Sequence, residues 1–237
     1  MSIPTQAGFI DQLLFGIYPY ICASVFVLGS LLRLDRDPYS WRAKSSQMLA
    51  DQRFVLASNA FHIGIIMLMM GHFVGLLTPH FLYSDLLGLS AANKQLLAIG
   101  AGGLFGVLCL VGLLMLLWRR LMHPRVYATS SRTDILLLVV LLAQLLLGLA
   151  SIPYSADHPD GARMLALSEW AQRIVTFRGG AADYVADAEW VFKAHIFLGL
   201  TIFLVFPFTR LVHALSAPLG FVFRSHHQIV RARRGVQ

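Results

Sequence analysis

Five stretches of the chain run almost without charge. They cover about Phe9–Leu32, Phe54–Leu77, Gln95–Trp118, Ile135–Ile152 and Trp190–Leu215. None alternates apolar and polar residues as a membrane β-strand does. Continuous apolar runs of about 20 residues are the length a helix needs to cross a bilayer. The pattern therefore predicts an all-α integral membrane bundle of five spans, forming one transmembrane domain over residues 1–237. No repeat, low-complexity tract or domain linker interrupts it.

The polar stretches give the bundle a direction. Arg33, Arg36, Arg42, Lys44 and Arg53 lie between the first and second runs. Arg119, Arg120, Arg125 and Arg132 lie between the third and fourth. Arg210, Arg224, Arg231, Arg233 and Arg234 lie at and beyond the end of the fifth. The opposite side has Lys94, Arg163, Arg173, Arg178 and Lys193, with eight of the twelve acidic residues. The two sides carry about +10 and about −3, and the positive-inside rule assigns the first to the cytoplasm. Five spans then put the N-terminus outside and the C-terminus in the cytoplasm. Met1–Gly8 holds no Lys or Arg, so the first run is expected to be retained as a span.

Composition agrees. Of 237 residues, 57% are apolar and 13% charged, and the mean hydropathy is +0.67. That is too little charge to cover a water-soluble globule of this size and too much apolar character for a disordered chain. The net charge of +7 is therefore read as sidedness and not as a nucleic-acid signal. Cys22 and Cys109 sit within apolar runs as small buried hydrophobes.

The longest polar stretch, Ser151–Glu189, falls on the outer side. Met164, Leu167, Ala171, Ile174 and Val175 share one helical face there, with Arg163, Glu169, Gln172 and Arg173 mostly elsewhere. A short helix lying in the membrane interface is expected, ended by Gly179–Gly180.

The histidines supply the candidate chemistry. Of nine, His62 and His72 lie on the second run, and His195 and His213 on the fifth. Ionisable groups in a bilayer are expensive and mark function. Histidine ligates haem iron, and bundles hold cofactors between facing helices. Four histidines on two helices match two bis-histidine haems. The second and fifth spans run in opposite directions, so His62 pairs with His213 and His72 with His195. The first pair lies nearer the cytoplasm. Ten residues separate His62 from His72, a rise of about 15 Å and a rotation of about 80°. Eighteen separate His195 from His213, about 27 Å along an unbroken helix with both on one face. Each pair would then be offset by about 6 Å, a mismatch that tilt and a kink at Pro207 would absorb. Gly64, Gly71, Gly75 and Gly199 flank the candidates; they suit either a macrocycle at the backbone or tight helix packing. His80, His123, His158, His226 and His227 fall in loops, turns or the tail.

Longer words carry a resemblance. They include GIYPYI (Gly16–Ile21), YSWRAKSSQML (Tyr39–Leu49), SNAFHIGI (Ser58–Ile65), GHFVGLLTPH (Gly71–His80), GVLCL (Gly106–Leu110), IPYSADHPDG (Ile152–Gly161), WAQRIVTFRGGA (Trp170–Ala181) and FPFTRLVH (Phe206–His213). Through them the chain resembles, nearly end to end, the gamma subunit of membrane-bound respiratory nitrate reductases, a dihaem cytochrome b.

The resemblance implies five transmembrane helices, an outside N-terminus and two b haems in a bacterial or archaeal cytoplasmic membrane. It implies iron ligands at His62 and His213 for the haem nearer the cytoplasm and at His72 and His195 for the outer one. It implies quinol oxidation near the outer haem, with His72 close by and Lys94 at the quinol. Electrons would pass from the outer to the inner haem, then to an iron–sulfur beta subunit and a molybdenum-containing alpha subunit that reduces nitrate. Arg119, Arg120 and Arg125 are candidates to meet haem propionates; sidedness alone also accounts for them. Two readings compete with this one. One is a related dihaem cytochrome b serving a formate dehydrogenase or hydrogenase. The other is a haem-free transporter whose histidines relay protons.

Overall fold

A computed structural model describes residues 5–37 and 52–215. The YSWRAKSSQML word lies outside them, as do Arg42, Lys44, Arg224, Arg231, Arg233, Arg234, His226 and His227. Among the described residues the regular structure is helical. Five helices are long and apolar enough to cross a membrane: Phe9–Arg36, Gln52–Leu77, Ala91–Met122, Arg132–Ala156 and Trp190–Phe208. They are the first to fifth spans below. Their flanks are apolar and open, Leu104 at 68% exposure for instance. Surfaces of that kind belong against lipid, and the chain is a multi-pass membrane protein.

The first four spans outrun the apolar stretches, and capping residues start the third and fourth in polar sequence. The third begins at Ala91, where Ser90 Oγ accepts from Asn93 N. The fourth begins at Arg132 behind a capping box, with Ser131 and Asp134 exchanging side chain-to-backbone bonds. Such caps satisfy amides that have no partner within the helix.

Close packing links the second span to the third, the third to the fourth, the fourth to the fifth and the fifth to the first. Glycines set the tightest contact. A Cβ on Gly64 would stand 2.6 Å from Cys109, and one on Gly112 would stand 2.4 Å from the Phe61 backbone nitrogen. The second and third spans are thus antiparallel, with residue 64 level with 109. Cys22 and Cys109 are both buried and free, as expected.

The first span contains a wide π-turn at Leu13–Ile17. Across from it lies the helix Ala162–Val175. The predicted short helix is present, and Leu167, Ala171 and Ile174 of its expected face pack inward. The buried face is shifted from the expected one. Ser168, Trp170 and Ala171 are buried, and Gln172 turns inward to donate to Leu76 O and Thr78 O (3.1 and 3.3 Å), whereas Val175 is exposed. The helix also ends earlier than Gly179–Gly180, at Val175 with Phe177 at a φ of 55°. Ala7, Phe15, Trp170, Val185 and Phe192 join a compact apolar cluster here.

The fifth span is not one helix. It is α-helical over Trp190–Val205 and turns into 3-10 segments at Phe206–Phe208 and Arg210–Ala214, with Thr209 extended between them. Pro207 lacks an amide hydrogen and cannot continue the ladder. Arg33 of the first span bonds the released carbonyls, donating to Pro207 O at 2.6 Å and Thr209 O at 2.8 Å. Gly29 admits the proline, since a Cβ there would meet it at 2.9 Å. The unbroken Trp190–Leu215 helix of the sequence reading is therefore corrected.

Candidate functional site: two facing histidine pairs

The second and fifth spans are not among the closely packed neighbours. Between them stand the histidines. The His62 and His213 ring centroids lie 6.4 Å apart with planes at 71°. Those of His72 and His195 lie 5.9 Å apart with planes at 34°. The antiparallel pairing expected from the sequence is the one in which the rings approach each other.

Each ring is oriented by a carbonyl. Nδ1 of His62 donates to Ser58 O at 2.7 Å, and that of His72 to Leu68 O at 2.7 Å. Nδ1 of His195 donates to Gln144 O at 3.2 Å, and that of His213 to Arg210 O. A carbonyl only accepts, so Nδ1 carries the hydrogen in all four rings and Nε2 is the acceptor nitrogen; that of His195 lies 3.4 Å from the Gln144 amide nitrogen, a long hydrogen bond. Ligating histidines are held by this arrangement.

The donors fit a metal-bearing planar group between the two spans. Metal–imidazole bonds of about 2 Å on opposite sides of one ion separate the ring centroids by about 6 Å. Both pairs meet that value. Among the described residues no three His, Cys, Asp or Glu side chains gather as a metal cluster. Paired axial donors suit a macrocycle that brings its own equatorial ligands.

The glycines divide between the two readings left open. Gly64 serves helix packing, as shown above. A Cβ on Gly71 or Gly75 would meet no atom within 4 Å, so packing does not require glycine at either. Gly199 accommodates Gln144, whose Nε2 would stand 3.1 Å from a Cβ there.

Gln144 is a residue the sequence reading missed. Its side chain donates to His195 O at 3.1 Å while its carbonyl accepts from the His195 ring. Its signal was visible, a lone amide in the apolar LLAQLLLG run. Asp134 is another. Its carboxylate pairs with Arg210 and, at 3.5 Å, with Arg120, so it anchors the turn that presents His213. Arg119 lies over the Phe54 ring, 4.4 Å from its centroid.

Lys94 occupies the first turn of the third span. The register of Gly64 against Cys109 sets it about seven residues, or about 10 Å, beyond the level of His72. Of the five basic residues on this side, four meet carboxylates: Arg163 with Glu189, Arg173 and Arg178 with Glu169, and Lys193 with Asp11. Lys94 differs. It is 9% exposed, and its ammonium has no hydrogen-bond partner among the described residues. It is not the snorkelling lysine that this position would otherwise suggest. Beside it, Gln95 donates to Ser155 O and His158 O at 2.8 and 2.7 Å. Gly161 touches the Ala91 backbone, where a Cβ would stand 2.6 Å away.

The other described histidines, His80, His123 and His158, stay apart from the pairs. His80 opens the short helix His80–Leu87 and bonds Ser84. His123 joins two helices ahead of Pro124, and His158 bonds Tyr154 O in a turn.

Five apolar spans with two facing histidine pairs between the second and fifth define a class: multi-pass membrane proteins with paired histidines inside the bundle. The family is more particular. The family described as "Nitrate reductase gamma subunit" matches residues 11–233, and the chain belongs to it. Two relatives from Escherichia coli K12 are the respiratory nitrate reductase 2 gamma chain, 53% identical, and the respiratory nitrate reductase 1 gamma chain, 50% identical. Each alignment covers 95% of this chain and 99% of the relative. The nitrate reductase gamma chain of Bacillus subtilis 168 is 38% identical over 91% of this chain and 96% of its own length. The chain is thus a subunit of an oxidoreductase complex.

Proposed function

We propose that this chain is the membrane-anchoring cytochrome b subunit of a respiratory quinol:nitrate oxidoreductase. It takes electrons from quinol at the outer face and delivers them to partner subunits in the cytoplasm. His62 and His213 hold one b haem; His72 and His195 hold the second. Haems so held supply one-electron carriers at two depths of the bilayer. The observation that carries this reading is the approach of both pairs to about 6 Å, with all four Nδ1 atoms committed to carbonyls.

Quinol binds beside Lys94. Nζ is buried and without a hydrogen-bond partner among the described residues, and it donates a hydrogen bond to a quinol oxygen or offsets negative charge developing on it. The histidine pair nearest that point is His72 with His195. The arginine-rich side faces the cytoplasm by the positive-inside rule, which puts the N-terminus outside and Lys94 near the outer surface of a bacterial inner membrane. An electron moving inward there works against the membrane potential, at about 2.3 kcal/mol per 100 mV.

Nitrate reduction belongs to partners. Two cysteines are too few for a four-thiolate iron–sulfur cluster. The resemblance supports an iron–sulfur beta subunit and a molybdenum-containing alpha subunit in these roles. The test is a quinol-driven nitrate assay on the assembled complex. With this chain present, quinol should drive nitrate reduction. Without it, only soluble reduced dyes should do so. Quinol-driven turnover by the partners alone would overturn the proposal.

A further inference from the structure

Around the start of the third span three buried polar atoms have no hydrogen-bond partner among the described residues: Gln95 Oε1, Lys94 Nζ and, on the preceding short helix, Tyr83 Oη. The last two are neighbours. Lys94 Nζ lies over the Tyr83 ring, 3.8 Å from its centroid. Tyr83 is 4% exposed and Lys94 9%. A buried ammonium needs compensation, and the negative face of the ring supplies only part of it. The phenol hydroxyl faces a similar cost, since an unmade bond to a buried donor costs about 1–3 kcal/mol.

The short helix His80–Leu87 explains the placement. It follows Pro79, stops at Gly88 in the left-handed region (φ 62°), and sets Tyr83 beneath Lys94. Burial pushes the Tyr83 phenol above its ordinary value, so the hydroxyl keeps its proton and remains a donor. The His80 ring lies on the same helix, 4.9 Å from the Tyr83 ring, and its Nδ1 is bonded to Ser84 at 3.2 Å.

Nζ over the face of the ring and Oη at its rim are thus adjacent donors, close enough to address one ligand. We propose that Tyr83 is a second quinol-binding residue, its hydroxyl and the Lys94 ammonium donating to the same quinol oxygen. This rests on the reading that quinol binds beside Lys94. Two donors on one oxygen fix its position as well as its affinity, and neither buried atom then lacks a partner.

The experiment compares Tyr83→Phe, Lys94→Ala and the double variant in the assembled complex. Tyr83→Phe keeps the ring beneath the ammonium and removes only the hydroxyl. It should raise KM for quinol about tenfold, the loss of one hydrogen bond, while dye-driven nitrate reduction and both haem spectra stay unchanged. The double variant should fall short of the product of the two single effects, because the groups share one oxygen. An unchanged KM in Tyr83→Phe beside a raised KM in Lys94→Ala overturns the role of Tyr83 and leaves the quinol site. Unchanged KM in both overturns the site as well. Lost haem or failed assembly in Tyr83→Phe makes the hydroxyl structural and also overturns the proposal.

Discussion

The indole nitrogen of Trp170 donates to the carbonyl oxygen of Phe15 at 2.9 Å, across 155 residues of sequence. The acceptor lies in the π-turn Leu13–Ile17, where the wide winding disturbs the regular helical ladder. One bond therefore ties the first span to the helix Ala162–Val175. Trp170→Phe keeps most of the apolar volume and leaves a buried carbonyl unpaired. It should cost about 1–2 kcal/mol, read as a lower unfolding midpoint of the purified chain in detergent. An unchanged midpoint would mean that the bond contributes nothing.

The turn that carries His213 is held from two sides. Arg33 bonds Pro207 O and Thr209 O, and Asp134 pairs with Arg210. Removing either charge frees the break at Thr209. Arg33→Ala or Asp134→Asn should broaden or lose the spectral signal assigned to the His62–His213 pair and spare the other. Equal effects on both signals would contradict this local role.

Gly148 sits beneath the His195 ring, where a Cβ would come within 3.0 Å of Cε1. Gly148→Ala should displace the ring by a few tenths of an ångström and shift the reduction potential of the centre at His72–His195, since ligand orientation tunes such centres. A redox titration checks this, with the potential of the other centre unmoved.

Gly64 makes the sharper steric case. Its added Cβ would meet backbone atoms of Cys109 at 2.7 and 2.8 Å, which a side-chain rotation cannot relieve. Gly64→Val should prevent close approach of the second and third spans and lower the yield of folded protein. Gly8→Val, with no atom within 4 Å of its Cβ, is the matched control.

Much of this arrangement was legible in the sequence. Continuous apolar runs reveal spans because lipid asks for the same property on all sides of a helix. Antiparallel direction alone gave the pairing of His62 with His213 and of His72 with His195. Pro207 marked where the fifth span would bend. It did not reveal a complete break, because that depends on Arg33 reaching the carbonyls from another helix. The inward turn of Gln172 and the burial of Tyr83 were illegible for the same reason. Gln172 takes partners from distant sequence, and Tyr83 is buried by how the short helix folds back onto the third span. The glycines could not be sorted either, since GxxxG looks alike whether a helix, as at Gly106, or open space, as at Gly71, lies opposite.

The central claim is that each facing pair holds one haem. Reduced-minus-oxidised spectra with a haem count test it most directly, on the parent protein and on His62→Ala, His72→Ala, His195→Ala and His213→Ala. The account predicts two b-type haems in the parent. His72→Ala and His195→Ala should lose the same signal, and His62→Ala and His213→Ala should lose the other. Loss of different signals within a pair, or a parent protein without b-type haem under adequate haem supply, would contradict it.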